Sequence, residues 1–188
     1  MRSPLHLFAV AVVLVGAAVF CLALGVVALR GNGLLNGLGA LGPALVPAGP
    51  PSAAATGRVP PQMLALYQRA APTCPGLPWS LLAAIGTVES SNGTSDLAGV
   101  RSGANYAGAK GPMQFEPATF AAYDEPVPPG GADPPSPYDP VDAVYAAARL
   151  LCANGAAGAA DISGAVFAYN HSQSYVTEVL SLARSYAK

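Results

Sequence analysis

Pro78-Trp79-Ser80-Leu81-Leu82-Ala83-Ala84-Ile85-Gly86-Thr87-Val88-Glu89-Ser90-Ser91-Asn92-Gly93 is the stretch whose reading decides the fold. Trp79, Leu82, Ile85, Val88 and Glu89 recur at three- and four-residue steps, the period of a helix with one covered face. Pro78 suits a first helical turn, where its missing N–H costs nothing, and Ser91-Asn92-Gly93 supplies a stop. Glu89 is therefore expected at the C-terminal end of a buried helix, behind Leu81, Leu82, Ile85 and Val88, with few neutralising charges near it in sequence. A carboxyl in apolar surroundings has its charged form disfavoured, so its pKa rises and it can donate a proton near neutral pH. Position alone favours the plainer reading, a solvent-exposed glutamate at a helix end; the motifs further along the chain reverse it.

Working outward, the apolar spacing is helical again from Pro61, with Met63, Leu64, Leu66 and Tyr67. Thr94 to Lys110 reads as loop, with room for a vestigial hairpin, and a short helix from Pro117 to Tyr123 follows the turn Gly111-Pro112-Met113-Gln114-Phe115. Asp124 to Tyr138 is too rich in proline and glycine for regular structure and is expected to run over the surface. Asp139-Pro140 then opens a helix with an N-cap and a proline at its first position, and Asn154-Gly155 ends it. Two further helices are predicted, about Ile162 to Asn170 and Tyr175 to Ala187, with Ser172 or Ser174 as caps. The expected fold class is mainly α: a single domain over 61–188 with five to seven helices.

The N-terminal quarter is of another kind. Leu5 to Leu29 holds no Asp, Glu, Lys or Arg, and at 1.5 Å per residue it is long enough for a hydrocarbon core of roughly 30 Å. Residues 1–30 are thus expected to be a retained transmembrane anchor; the alternative is a cleaved signal segment, for which Ala23-Leu24-Gly25 offers a small-x-small site. Either way the remainder is exported, and a cell-membrane location with an extracytoplasmic domain is expected. Residues 31–60, dominated by Gly, Ala, Pro, Leu and Ser, read as a linker. The mean hydropathy of +0.40 is raised by the apolar first segment and by abundant alanine. With 10% charged residues and a net charge of -1, the chain has no basic field of the kind that nucleic acid requires.

Phe20 before Cys21 argues against lipid modification of that cysteine. Cys74 and Cys152 fall in the exported part, where an oxidising compartment allows a disulfide, and they are expected to be bridged; two buried free thiols are the alternative. Two cysteines and two distant histidines make no zinc spacing, and neither metal nor cofactor is expected.

Three short segments, Val88-Glu89-Ser90-Ser91-Asn92-Gly93, Gly111-Pro112-Met113-Gln114-Phe115 and Ala168-Tyr169-Asn170, resemble in this order the catalytic segments of bacterial lytic transglycosylases, which share a goose-type lysozyme fold. Tyr138-Asp139-Pro140-Val141-Asp142-Ala143 looks like the stretch before a core helix in the branch of membrane-bound lytic murein transglycosylase B. The resemblance implies that peptidoglycan glycan strands are the partner and Glu89 the single acid/base. It implies that Ser90 helps hold substrate or carboxylate, that Gln114 contacts sugar with Met113 in the cleft wall, and that Tyr169 and Asn170 flank Glu89. There the Tyr169 phenol would hydrogen-bond the carboxyl and the Asn170 amide would reach sugar. Tyr169 at helical spacing could also be an ordinary core tyrosine.

Pro112, Glu116 and His171 depart from the family pattern. Glu116 precedes Pro117 at a helix start, where a carboxylate is favoured electrostatically, so a structural role is expected for it. The acidic stretch Asp124 to Asp142 suggests calcium, which relatives in that branch can carry, but its prolines break the close ligand spacing a calcium loop needs. The activity implied is a lyase reaction that cleaves between N-acetylmuramic acid and N-acetylglucosamine with a 1,6-anhydro product. Its rivals are a hydrolytic muramidase using Asp96 or Glu116, and a non-catalytic peptidoglycan-binding scaffold.

Overall fold

The computed structural model describes residues 49–187. The segment read as an anchor, and residues 31–48 of the one read as a linker, lie outside the described residues. No helix among the described residues is long and apolar enough to cross a membrane. Seven α-helices are described: α1 (Ala53–Arg58), α2 (Pro61–Ala70), α3 (Trp79–Ser90), α4 (Pro117–Tyr123), α5 (Pro140–Leu151), α6 (Ile162–Asn170) and α7 (Gln173–Tyr186). Among these residues there is no strand, only two isolated bridges, Pro51 with Ala187 and Lys110 with Phe115. The hairpin expected between Thr94 and Lys110 is thus reduced to one bridge at its end, because turns take up the rest of the segment.

Helix α3 is the axis of the core. Leu81, Leu82, Ala83, Ala84 and Ile85 are fully buried, and α2, α5 and α7 pack against it. An all-round apolar helix of this kind is stable only when covered on every side. The turn that ends it is polar yet buried: Asn92 accepts at Oδ1 from the Tyr67 hydroxyl (2.9 Å) and donates through Nδ2 to Thr87 Oγ1 (3.0 Å). Its N–H closes the helix on Gly86 O at 2.7 Å. A Cβ at Gly86 would meet the Tyr67 hydroxyl at 2.0 Å, so glycine lets α2 approach α3 and the network form.

The other helix ends follow their sequence signals. Asp139 caps α5 by accepting from Val141 and Asp142 N–H groups, and Ser172 caps α7 by accepting from Tyr175 N–H. The linker reading fails at residues 49–60, where α1 stands. Ser52 is buried and caps it, its N–H donating to Tyr186 O (2.9 Å) and its hydroxyl to Ser185 O (2.7 Å). Ala55 and Val59 enter the core. Six residues, five of them with small side chains, have no readable period of their own; tertiary contacts to α7 make this helix.

Cys74 and Cys152 form a disulfide with Cα atoms 5.6 Å apart, which ties the chain just before α3 to the end of α5. Beside it Gly158 N–H donates to Pro75 O at 2.6 Å. The proline-rich excursion between α4 and α5 is held down from α5. Asp142, fully buried, accepts from the Ala132 (3.2 Å) and Ser136 (2.9 Å) N–H groups, and Arg149 donates to Tyr123 O (2.8 Å) and to Pro126 O. Two backbone amides thus share Oδ2 of the carboxylate that stands in the stretch read for calcium, and its Oδ1 has no hydrogen-bond partner among the described residues.

Candidate active site

Glu89 ends α3 in an open cleft of about 320 Å³, whose walls come from the loop before α4 (Asn105, Tyr106, Gln114), from Glu116, and from the end of α6 (Tyr169, Asn170). The volume falls in the range of small-ligand sites, and the lining is mostly polar. A larger, shallower groove beside Arg58, Val88 and Leu182 holds no buried carboxyl.

Burial lifts the Glu89 pKa to about 7, a rise that the hydrogen bond from Tyr175 partly opposes. The Tyr175 hydroxyl donates to Glu89 Oε1 at 2.6 Å. Its own pKa is pushed far up, first by burial and then by the neighbouring Glu89 charge, so the phenol keeps its proton and remains the donor. A carboxyl that titrates near neutrality and is held in place by one phenol can both give and take a proton.

The phenol expected on Glu89 from Tyr169 therefore comes from Tyr175 instead. Tyr169 turns its hydroxyl to Met113 O at 2.8 Å. Its ring packs 5.7 Å from Phe115 and stacks parallel to Tyr175 at 6.4 Å between centroids. Tyr169 thus supports the ring that holds the carboxyl. Its own pKa is raised well above the usual value by burial and by the Glu89 charge, in keeping with a place beside the acid. Tyr175 is not legible as a site residue in the sequence, where it stands as the first residue of a further helix, Tyr175 to Ala187. The α7 cap signal at Ser172 does place it in the first turn of the helix, five residues after Asn170.

Two further expectations are corrected. Ser90 is buried, and its hydroxyl donates to Pro112 O (2.5 Å) and accepts from Gly93 N–H (2.7 Å). It fastens the end of α3 to the Gly111 turn and is committed to that fastening, not to substrate. Met113 is fully buried in the core and offers its carbonyl to Tyr169, so it lies beneath the cleft and forms none of its surface. A methionine in a turn surrounded by Phe115 and the core helices gains more from burial than from exposure.

Gln114 and Asn170 do reach the cleft. Gln114 has a left-handed backbone, φ 49°, a conformation sparsely populated outside glycine and costly unless the surroundings hold it. Its Nε2 donates to Gly111 O (2.7 Å) and its Oε1 accepts from Asn105 Nδ2 (3.1 Å). Gly111, with φ 78°, packs so tightly on Pro137 that a Cβ there would lie 1.6 Å from the Pro137 carbonyl oxygen. The turn bearing Gln114 is thus wedged between α3 and the proline-rich excursion. Glu116 stands at the N-cap of α4 but makes no side-chain capping bond, and it is exposed along the cleft. Asp96 instead pairs with Arg101 at 3.0 Å on the exposed loop.

Among the described residues no group of three or more His, Cys, Asp or Glu side chains converges as a metal site. Neither curated proteins nor solved structures yield a match to this chain. Residues 67–188 match the family described as Transglycosylase SLT domain. The match covers more than half of the 188 residues and includes Glu89, the Gly111 turn and both α6 and α7, so the chain belongs to the transglycosylase SLT domain family, lysozyme-like lytic transglycosylases that act on peptidoglycan.

Proposed function

We propose that Glu89 cleaves the glycosidic bond between N-acetylmuramic acid and N-acetylglucosamine in two steps, first as acid and then as base. The supporting observation is one half-buried carboxyl with a pKa of about 7, held by Tyr175 in an open polar cleft. In the first step Glu89 gives its proton to the glycosidic oxygen as the C1–O bond breaks, and the neighbouring N-acetyl group of the substrate assists departure. In the second, Glu89 takes the proton of the muramic C6 hydroxyl while that oxygen bonds to C1 and closes a 1,6-anhydro ring. No water is consumed. Gln114 and Asn170, both on the cleft, are assigned to sugar. The stretch Tyr138 to Ala143 supports placement in the membrane-bound B-like branch, and the uncharged run Leu5 to Leu29 supports an exported, membrane-tethered enzyme.

The test is product mass. Sacculi digested with the full chain should yield muropeptides with anhydro ends, lighter by one water than the products of hydrolysis. Reducing ends in their place would give the site to a hydrolytic muramidase, for which Glu116 on the cleft is the available second carboxylate.

Tyr175→Phe provides a further check. The phenol lowers the Glu89 pKa, so its removal should move the alkaline limb of the pH profile upward and reduce kcat on the order of tenfold. An alkaline limb at the parent's position would show that Tyr175 does not govern the acid.

A further inference from the structure

Tyr106 is fully exposed, and its aromatic ring is presented on the same cleft as Glu89. A single exposed aromatic side chain is ordinary on a surface; the turn beneath this one is not loosely built. Asn105 Oδ1 accepts from the N–H groups of Ala107 (2.8 Å) and Ala109 (2.9 Å), and Asn105 N–H donates to Ala109 O at 3.0 Å. Gly108 N–H returns to Asn105 O at 3.0 Å. Four hydrogen bonds thus close the five-residue turn, with Tyr106 displayed on it. The same Asn105 donates through Nδ2 to Gln114 Oε1 at 3.1 Å, which joins the turn to a cleft residue assigned to sugar. The Tyr138 hydroxyl donates to Gly103 O and Gly111 N–H to Gly99 O (2.7 Å), anchoring the flanks.

Amides and a carboxylate along this cleft can meet hydroxyl and N-acetyl groups, but a pyranose also has an apolar face of C–H bonds. An aromatic face, electron-rich at its centre, is the complement of such C–H groups. The turn already fixes the backbone beneath the ring, so binding has only the two side-chain torsions of Tyr106 to order.

We propose that Tyr106 is a stacking platform for one N-acetylhexosamine ring of the glycan strand, set at the rim of the cleft beside Asn105 and Gln114. The proposal rests on the reading that the cleft takes a glycan. Because Tyr106 is fully exposed and nothing among the described residues packs on it, its replacement leaves the fold intact, and the effect falls on substrate affinity.

The experiment is steady-state kinetics of the full chain on purified glycan strands, with Tyr106→Ala, Tyr106→Phe and Tyr106→Trp. Tyr106→Ala should raise KM roughly tenfold, equivalent to about 1.4 kcal/mol, with kcat within about twofold of the parent and an unchanged melting temperature. The Phe and Trp variants, which keep an aromatic face, should stay near the parent. A parental KM in Tyr106→Ala, or a Phe variant as impaired as the Ala variant, overturns the platform. Binding is measured separately by titrating Glu89→Gln, with and without Tyr106→Ala, with uncleaved glycan strands. If the parent releases no product at all, the proposed activity fails. The platform is then decided by that titration: roughly tenfold weaker binding without Tyr106 upholds it, and equal binding refutes it.

Discussion

Replacing Glu89 by glutamine is expected to cut muropeptide release by on the order of a thousandfold or more, because one carboxyl serves both proton transfers and the amide can make neither. The side chains are nearly isosteric, so the cleft keeps its shape. Glu116→Gln should retain most activity; a variant as inactive as Glu89→Gln would shift the assignment to a two-carboxylate hydrolase. The same substitution has a stability signature of definite sign. Glu89 has its pKa raised in the fold, from 4.5 to about 7. Its favourable contribution is therefore complete below about 4.5 and is lost as pH rises to about 7, where the half-buried group ionises in the folded protein too. That loss is on the order of 3 kcal/mol. Glu89→Gln carries no such titration, so above pH 7 it should melt higher than the parent while remaining inactive. A variant whose stability declines with pH as steeply as the parent's would mean that another group is the perturbed acid.

Reduction of the Cys74–Cys152 bridge is expected to produce the largest loss of stability. The bridge spans 78 residues of chain, and in the chain-entropy account a loop of that length is worth about 4 kcal/mol. For a domain of this size that corresponds to a melting temperature lower by about ten degrees. The cross-link also sets the catalytic element, since Cys74 lies just ahead of α3 and the backbone of Pro75 is bonded to Gly158 beyond α5. Activity at a temperature between the two melting points should consequently disappear on reduction and return on reoxidation. Thiol labelling of the denatured, unreduced chain should find Cys74 and Cys152 protected. Full reduction, verified by labelling, with no change in melting temperature would mean that packing alone holds the start of α3.

The sequence by itself determined the helices whose ends carry chemical signals. Pro117 and Asp139-Pro140 start α4 and α5 because a proline fits a first turn and an aspartate can accept the free N–H groups there. Pro78 and Ser91-Asn92 bound α3, and the apolar run between them predicts a buried helix with Glu89 near its end; position alone favours an exposed glutamate there, and it is the resemblance of the three motif segments that turns the reading toward an acid with a raised pKa. The pairing of Cys74 with Cys152 was legible because these are the only two cysteines of the sequence outside the uncharged run Leu5 to Leu29. Those features depend on residue type and short spacing, which a linear chain displays.

What only the tertiary structure decided is which neighbour meets which. Tyr175 and Glu89 are 86 residues apart, and their 2.6 Å hydrogen bond depends on how α7 crosses α3. Tyr169, close to Tyr175 in sequence, points its hydroxyl to Met113 instead, because the two rings stack and only one phenol can occupy the position over the carboxyl. Ser90 and Met113 lie in motifs read as functional, yet they are buried as fastenings beneath the cleft. The helix α1 forms only where Ser52 can bond α7. Periodicity reports that a residue faces inward but is silent about its partner. That choice is made by close packing among helices distant in sequence, through contacts that no local signal encodes.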